Sequence, residues 1–364
     1  MGVLLLFIVR INAGESTAMD ESVNTLLEDL DTGALQEMAP EIDLRGILQS
    51  AAKGESLFEP QALLKSIAKI GAEAFRDALP HCMRMMGLGI LSAGLSHAST
   101  GHQAGDLCEW IGCICASLVL SAQTAELLSL ARQTMQRMTD FTAAVLPSLL
   151  ALMTACGAAQ SAAGLQKLTL AATGGLAEFF QNVLLTLTAC AAVMMLVDAV
   201  QDGARLRSMG KLLRNAVHWL LGICFTVFVG CIAVQTSAGA HYDGIALRIT
   251  KFAADKSVPI VGGFFKDAAD TFIGCALIVK NALGTAGLAA VTVMLALPAL
   301  RVLSVSVTSR LCAAVLDLFG SDRIGRMLDG MADVQLTVML LMMGCALMCL
   351  VPVAAAMYTG MEFL

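Results

Sequence analysis

The sequence predicts an all-α, polytopic helical membrane protein with a small acidic helical region at its N-terminus. Three observations carry that reading. Hydrophobic residues make up 57% of the chain and charged residues 14%, against about 45–50% and 25% in soluble domains. Apolar runs near the ~20 residues that cross a bilayer recur from residue 83 onward. The acidic residues crowd the first quarter instead: Glu15, Asp20, Glu21, Glu28, Asp29, Asp31, Glu37, Glu41 and Asp43. In hydrocarbon every backbone amide must be paired inside the protein, so the apolar runs are expected to be helices.

The chain opens MGVLLLFIVRINAGESTA. The run Val3 to Val9 is too short to span, but it fits the apolar core of a signal peptide, with Ser16-Thr17-Ala18 as the small-residue cleavage region. The basic residues that should precede it are missing; Arg10 follows the run. Residues 1–18 are therefore read as a signal peptide with a clipped start, the other reading being a short hydrophobic end. Residues 19–80 form an acidic extramembrane region. Leu26, Leu27 and Leu30, and again Leu63, Leu64, Ile67 and Ala68, have helical spacing. Pro40, Pro60 and the turn Lys53-Gly54-Glu55-Ser56 punctuate this stretch.

Residues 81–364 are expected to hold about 6–8 membrane helices. The apolar stretches are roughly 83–98, 107–128, 141–163, 174–199, 214–237 and 333–357, with a further span at 284–308 kinked at Pro298. Runs such as Gly157-Ala158-Ala159-Gln160-Ser161-Ala162-Ala163-Gly164 supply the small residues that let membrane helices approach closely. The expected loops 129–140 (Arg132, Arg137) and 201–214 (Arg205, Arg207, Lys211, Arg214) are basic, and the positive-inside rule places both in the cytoplasm. Counting back puts residues 19–80 in the cytoplasm too, whereas a cleaved signal peptide puts them outside.

Several chemistries find no support. The nearest approach to a P-loop, Gly203 to Lys211, has the wrong spacing and no Ser or Thr after the lysine. Cys113-x-Cys115 and Cys345-x-x-x-Cys349 lie in apolar helices without a second ligand pair, so no metal is expected. Most of the twelve cysteines fall in apolar runs, where cysteine serves as a small packing residue. Asp198, Glu178 and Asp317 sit at span ends, where a charge reaches water or headgroups. No basic stripe with aromatic residues suggests nucleic acid, and no cofactor site is visible.

The segment 241–287 is the informative one. Ile245, Leu247, Ile249 and Phe252 give an amphipathic helix with Arg248 and Lys251 near its polar side; such a helix rests at a membrane interface. Val258-Pro259-Ile260-Val261-Gly262-Gly263 breaks it. Residues 258–281 carry Lys266, Asp267, Asp270 and Lys280, too polar for an ordinary span, and are read as a re-entrant hairpin against a lumen or a partner, with turns at Gly262-Gly263 and Gly284. A loop helix on the headgroups fits the same residues.

The same segment carries a resemblance. Asp243-Gly244-x-Ala246-Leu247-Arg248-x-x-Lys251-Phe252, then Pro259-x-Val261-Gly262, Asp270, Cys275 and Lys280-Asn281-Ala282-x-Gly284-x-x-Gly287 is similar to the pattern of the stage III sporulation protein AE family. Phe141 to Gly157, with its Leu-Pro in an apolar run, is a second match. The resemblance covers roughly 80–360. It implies a multipass, non-enzymatic protein of the mother-cell membrane around the forespore. Such a protein belongs to a channel or secretion-like complex whose other subunits include a secretion-type ATPase. A stand-alone secondary transporter is the other function that the residues allow. The site residues implied are Asp243, Gly244, Arg248, Lys251, Pro259, Gly262, Asp270, Lys280, Asn281 and Gly284.

Overall fold

Six long helical elements follow one another in the computed structural model, which describes residues 60–98, 102–201, 204–257 and 262–358. They are α1 (Pro60–Ala98), α2 (His102–Ala155), α3 (159–201), α4 (Ala204–Ser257), α5 (Gly262–Leu318) and α6 (Asp322–Tyr358). Among the described residues there is no strand. Among the described residues five helices, α2 to α6, are long and apolar enough to cross a membrane. The fold is thus the helical membrane architecture expected from composition.

Two glycines make the sharp turns. Gly157 (φ 87°) ends α2 and Gly320 (φ 79°) ends α5, a left-handed conformation that costs glycine little. Both turns close in the same way. Gly157 donates its N–H to the carbonyl of Thr154, and Ala158 to that of Met153; Gly320 donates to Asp317, and Ser321 to Leu316. This paired pattern satisfies carbonyls that a helix end would otherwise leave bare. At the foot of the bundle Asp198, in the last turn of α3, accepts the backbone N–H of Arg207 at 3.0 Å. A carboxylate there also complements the positive N-terminus of α4. The span-end aspartate thus has a local structural role.

The helices enclose two apolar cores. The larger joins α2, α3, α4, α5 and α6 through residues such as Met135, Phe141, Leu149, Phe180, Val217, Val291, Leu341 and Val353. The smaller lies toward the Gly320 turn and joins Met85, Cys113, Leu120, Met195, Leu316, Ile324 and Met331. In that lower half Cys82 of α1 is disulfide-linked to Cys312 of α5. The ten other cysteines form no disulfide, and five of them are buried.

Four sequence expectations change. Residues 129–140 are not a loop: α2 runs unbroken from 102 to 155, because polar residues there occupy one helical face while Leu127, Ala131, Met135, Met138 and Phe141 enter the core. The expected spans 107–128 and 141–163 therefore share one helix, and the second is cut at Gly157. Only 201–214 remains of the basic loops on which the orientation rested, and its charges from Arg207 onward sit on the first turns of α4. Third, no turn forms at Gly284, since α5 continues from Gly262 through Lys280 and Gly284 to Leu318. Finally, the boundary expected between residues 80 and 81 falls inside α1. The signal-peptide segment and most of the acidic region, residues 1–59, lie outside the described residues.

Candidate functional site

Three polar features stand inside this apolar frame. The first contains the part of the expected segment whose side chains are described. Lys280 is fully buried. Its Nζ donates to the carbonyl of Met357 at 3.2 Å, in the last turn of α6, where helix carbonyls lack partners and the dipole is negative. Gly284, one turn further along α5, faces the side chain of the same Met357, and a Cβ there would overlap its Cγ and Sδ. Cys156, beside the Gly157 turn, packs with Ala276 and Leu277 just before Lys280. The amide oxygen of Asn281 is buried and has no hydrogen-bond donor among the described residues. Lys280, Asn281 and Gly284 are thus brought together where the ends of α2 and α6 meet α5.

The remaining expected residues are placed less fully. Asp243, Gly244, Arg248 and Lys251 lie on the continuous helix α4, Gly262 opens α5, and Asp270 lies within it; their side chains are outside the described residues, as is Pro259 altogether.

Replacing Lys280 by methionine, which keeps the length without the charge, is expected to preserve the folded protein and to impair function, since an ionisable residue inside a membrane bundle marks a functional site more often than a structural one. A folded, monodisperse size-exclusion profile together with loss of function in the host separates the two. Loss of the folded peak would make Lys280 a purely structural pin.

The second feature was not singled out from the sequence. Asp333 of α6 receives Arg214 of α4 on one carboxylate oxygen and Arg310 of α5 on the other, the latter at 2.8 Å. One turn on, Thr337 meets His218 Nε2 at 3.2 Å. Gln335 is buried between these levels, and neither of its amide atoms has a hydrogen-bond partner among the described residues. The three helices are thereby held at one height by a single carboxylate. No sequence motif announces it, because its members are more than 20 residues apart.

The third feature occupies the outer face of α2. Glu126, Ser129, Arg132, Gln133, Gln136, Arg137 and Asp140 are all exposed, all but Glu126 within the residues 129–140 read from sequence as a basic loop. Glu126 pairs with Arg301 of α5 at 2.8 Å. Arg132 donates to Asn182 at 3.1 Å and to the carbonyl of Gln181 at 3.2 Å. That carbonyl belongs to one of two π-helical stretches of α3, Ala171–Leu176 and Phe180–Leu184. Such wide turns displace carbonyls from regular α pairing and recur at functional sites. Above them α2 and α3 enclose a cleft of about 340 Å³ lined by Pro147, Thr154, Ala163, Gln166 and Thr169 among others.

Comparison with known proteins places this arrangement. The profile of the family described as "Stage III sporulation protein AE" matches residues 42–360. A curated relative, "Stage III sporulation protein AE" of Bacillus subtilis (strain 168), is 34% identical over 202 residues, covering 56% of this chain and 51% of the relative. The aligned part thus spans about half the length of that relative. No solved structure matches. With the profile covering most of its length, this helical membrane chain belongs to the stage III sporulation protein AE family.

Proposed function

We propose that the chain is a non-catalytic, multipass subunit of a channel or secretion-like complex that joins mother cell and forespore and is required for sporulation. The observation that carries this reading is family membership together with five helices able to cross a membrane. The lack of a P-loop in the sequence supports an energy source outside the chain, a secretion-type ATPase among its partners. On this reading the protein resides in the mother-cell membrane around the forespore. Deleting its gene in a sporulating host is expected to arrest development after engulfment, scored by microscopy and heat-resistant spore count. Normal spore yield would refute the reading.

One observation favours a second reading, a stand-alone secondary transporter. α3 is twice interrupted by π-helical turns beside polar side chains, and interrupted helices form the sites of many transporters. The purified chain alone would then support solute flux in liposomes, and it would be recovered without an ATPase.

A further inference from the structure

We infer that copies of this chain assemble into a ring in the membrane with the outer face of α2 turned inward, lining a water-filled lumen. The outer faces of α2 and α4 differ in chemistry. On α4 the exposed residues from Trp219 to Val234 carry no charge, and the large ones, Trp219, Ile223, Val227 and Val234, are apolar, a face suited to lipid. On α2 the exposed residues from Glu126 to Asp140 are, in order, Glu, Ser, Arg, Gln, Gln, Arg and Asp.

The Asp140 end of the polar face is level with an apolar stretch of α6. Its buried neighbours Thr139 and Thr142 meet Cys345 and Cys349, within a stretch of α6 that carries no charge from Val334 to Tyr358. Gly344 of that stretch touches Leu221 of α4, next to Trp219 and Ile223. From Glu126 to Asp140 the helix rises about 21 Å, most of the ~30 Å hydrocarbon thickness. A charge facing lipid at the centre of a span costs about 2.5–3.5 kcal/mol, and this face of α2 carries four charges, Glu126, Arg132, Arg137 and Asp140, the last two nearest that level.

Lipid is therefore excluded as the solvent of this face, and water is favoured over a protein partner. The cores of protein interfaces are depleted of charge, whereas this face has the composition and surface pairing of a solvated helix: Glu126 with Arg301, Gln136 with Asp140 at 2.9 Å, Gln133 with Ser129 at 3.4 Å. A single bundle immersed in lipid cannot keep water against its own perimeter. Rotational symmetry lets identical copies close such a wall while each leaves its α4 face to lipid. A dimer with the two stripes pressed together about an axis along the membrane normal would oppose like charges at each level, so an open lumen fits better than a dry contact.

The inference deepens the channel-subunit reading by naming the conduit-lining helix and its aqueous content. It is tested apart from sporulation, in membranes of a host that lacks sporulation genes, on the full chain carrying Ser129→Cys, Gln133→Cys or Gln136→Cys singly. A membrane-impermeant, charged thiol reagent is applied and labelling is read peptide by peptide by mass spectrometry. The native exposed Cys231 on α4 is the internal reference for a lipid-facing thiol. The three introduced cysteines are expected to react about ten-fold or more faster than Cys231, because the reactive thiolate forms in water and not in hydrocarbon. In the same membranes a bifunctional cross-linker should yield species larger than one chain. Introduced cysteines no faster than Cys231, whether covered by lipid or by protein, would overturn the lumen; rapid labelling with only single chains after cross-linking would overturn the ring. Either failure leaves the developmental arrest of the deletion strain untouched, so the two readings fall separately.

Discussion

Replacing Asp333 with alanine is expected to destabilise the folded bundle by about 3 kcal/mol, the lower end of the range for breaking a buried ion pair. The carboxylate lies between Arg214 and Arg310 and joins α4 and α5 to α6. Without it two guanidiniums face each other with no counter-charge, and repulsion adds to the lost hydrogen bonds. The lower end applies because the Asp333 side chain keeps 31% of its surface, so water recovers part of the loss. The two arginines should rank by burial: Arg214→Ala, at a site 18% exposed, should cost more than Arg310→Ala, at 48%. A triple variant with Arg214→Met, Arg310→Met and Asp333→Leu should regain much of the stability, since a well-packed apolar replacement avoids the desolvation of all three charges. Equilibrium unfolding in a fixed detergent or bicelle mixture measures each. A loss under about 0.5 kcal/mol for Asp333→Ala would put the triad in the class of surface pairs, and the three-helix clamp would not exist.

How much of this was legible in the sequence depended on whether the signal was local. Apolar runs gave the apolar middles of α3, α4, α6 and the later half of α5, because a span is written in consecutive residues, but the helices run beyond them: α3 begins at 159 instead of 174, α4 continues to 257 instead of 237, and α6 begins at 322 instead of 333. Residues 129–140 misled for a physical reason. Two arginines and an aspartate in 12 residues resemble a loop when counted as composition, yet Glu126, Ser129, Gln133, Gln136 and Asp140 recur every three or four residues, the period of one helical face. Periodicity was the better signal, and it was present. Gly157 and Gly320 were readable as helix ends only with their Schellman hydrogen bonds in hand, since glycines also fill helix interiors here. The Asp333 clamp and the Cys82–Cys312 link join positions distant in sequence, and nothing local encodes them. Lys280 shows the intermediate case: its charge in an apolar run marked it as unusual, but only the fold reveals that it answers the carbonyl end of α6.

Gly284→Ala is expected to lower stability by about 1–3 kcal/mol, the usual cost of overpacking a close contact. In an α-helix alanine is favoured over glycine by roughly 1 kcal/mol, so a loss here runs against intrinsic propensity and must come from packing. Lys280 and Gly284 stand four residues apart on one face of α5, and both address Met357 of α6. The lysine takes its carbonyl, and the glycine leaves room for its side chain. An added methyl would overlap Met357 Cγ and Sδ. Because a methionine side chain is flexible, it can swing aside at some cost, which keeps the expected loss moderate for alanine and larger for the branched Gly284→Val. The decisive comparison is the double variant. Met357→Ala alone should cost stability by leaving a cavity; combined with Gly284→Ala, the added methyl occupies space that the truncation opened. The pair should then be less damaging than the sum of its parts by about 1 kcal/mol or more, the coupling expected of residues in contact. Unfolding of the four proteins under one condition supplies the cycle. Strict additivity would mean that the two residues do not meet. A tight backbone turn at Gly284, as the sequence alone suggested, would make Gly284→Ala costly whatever stands at 357, and Met357→Ala would then bring no relief.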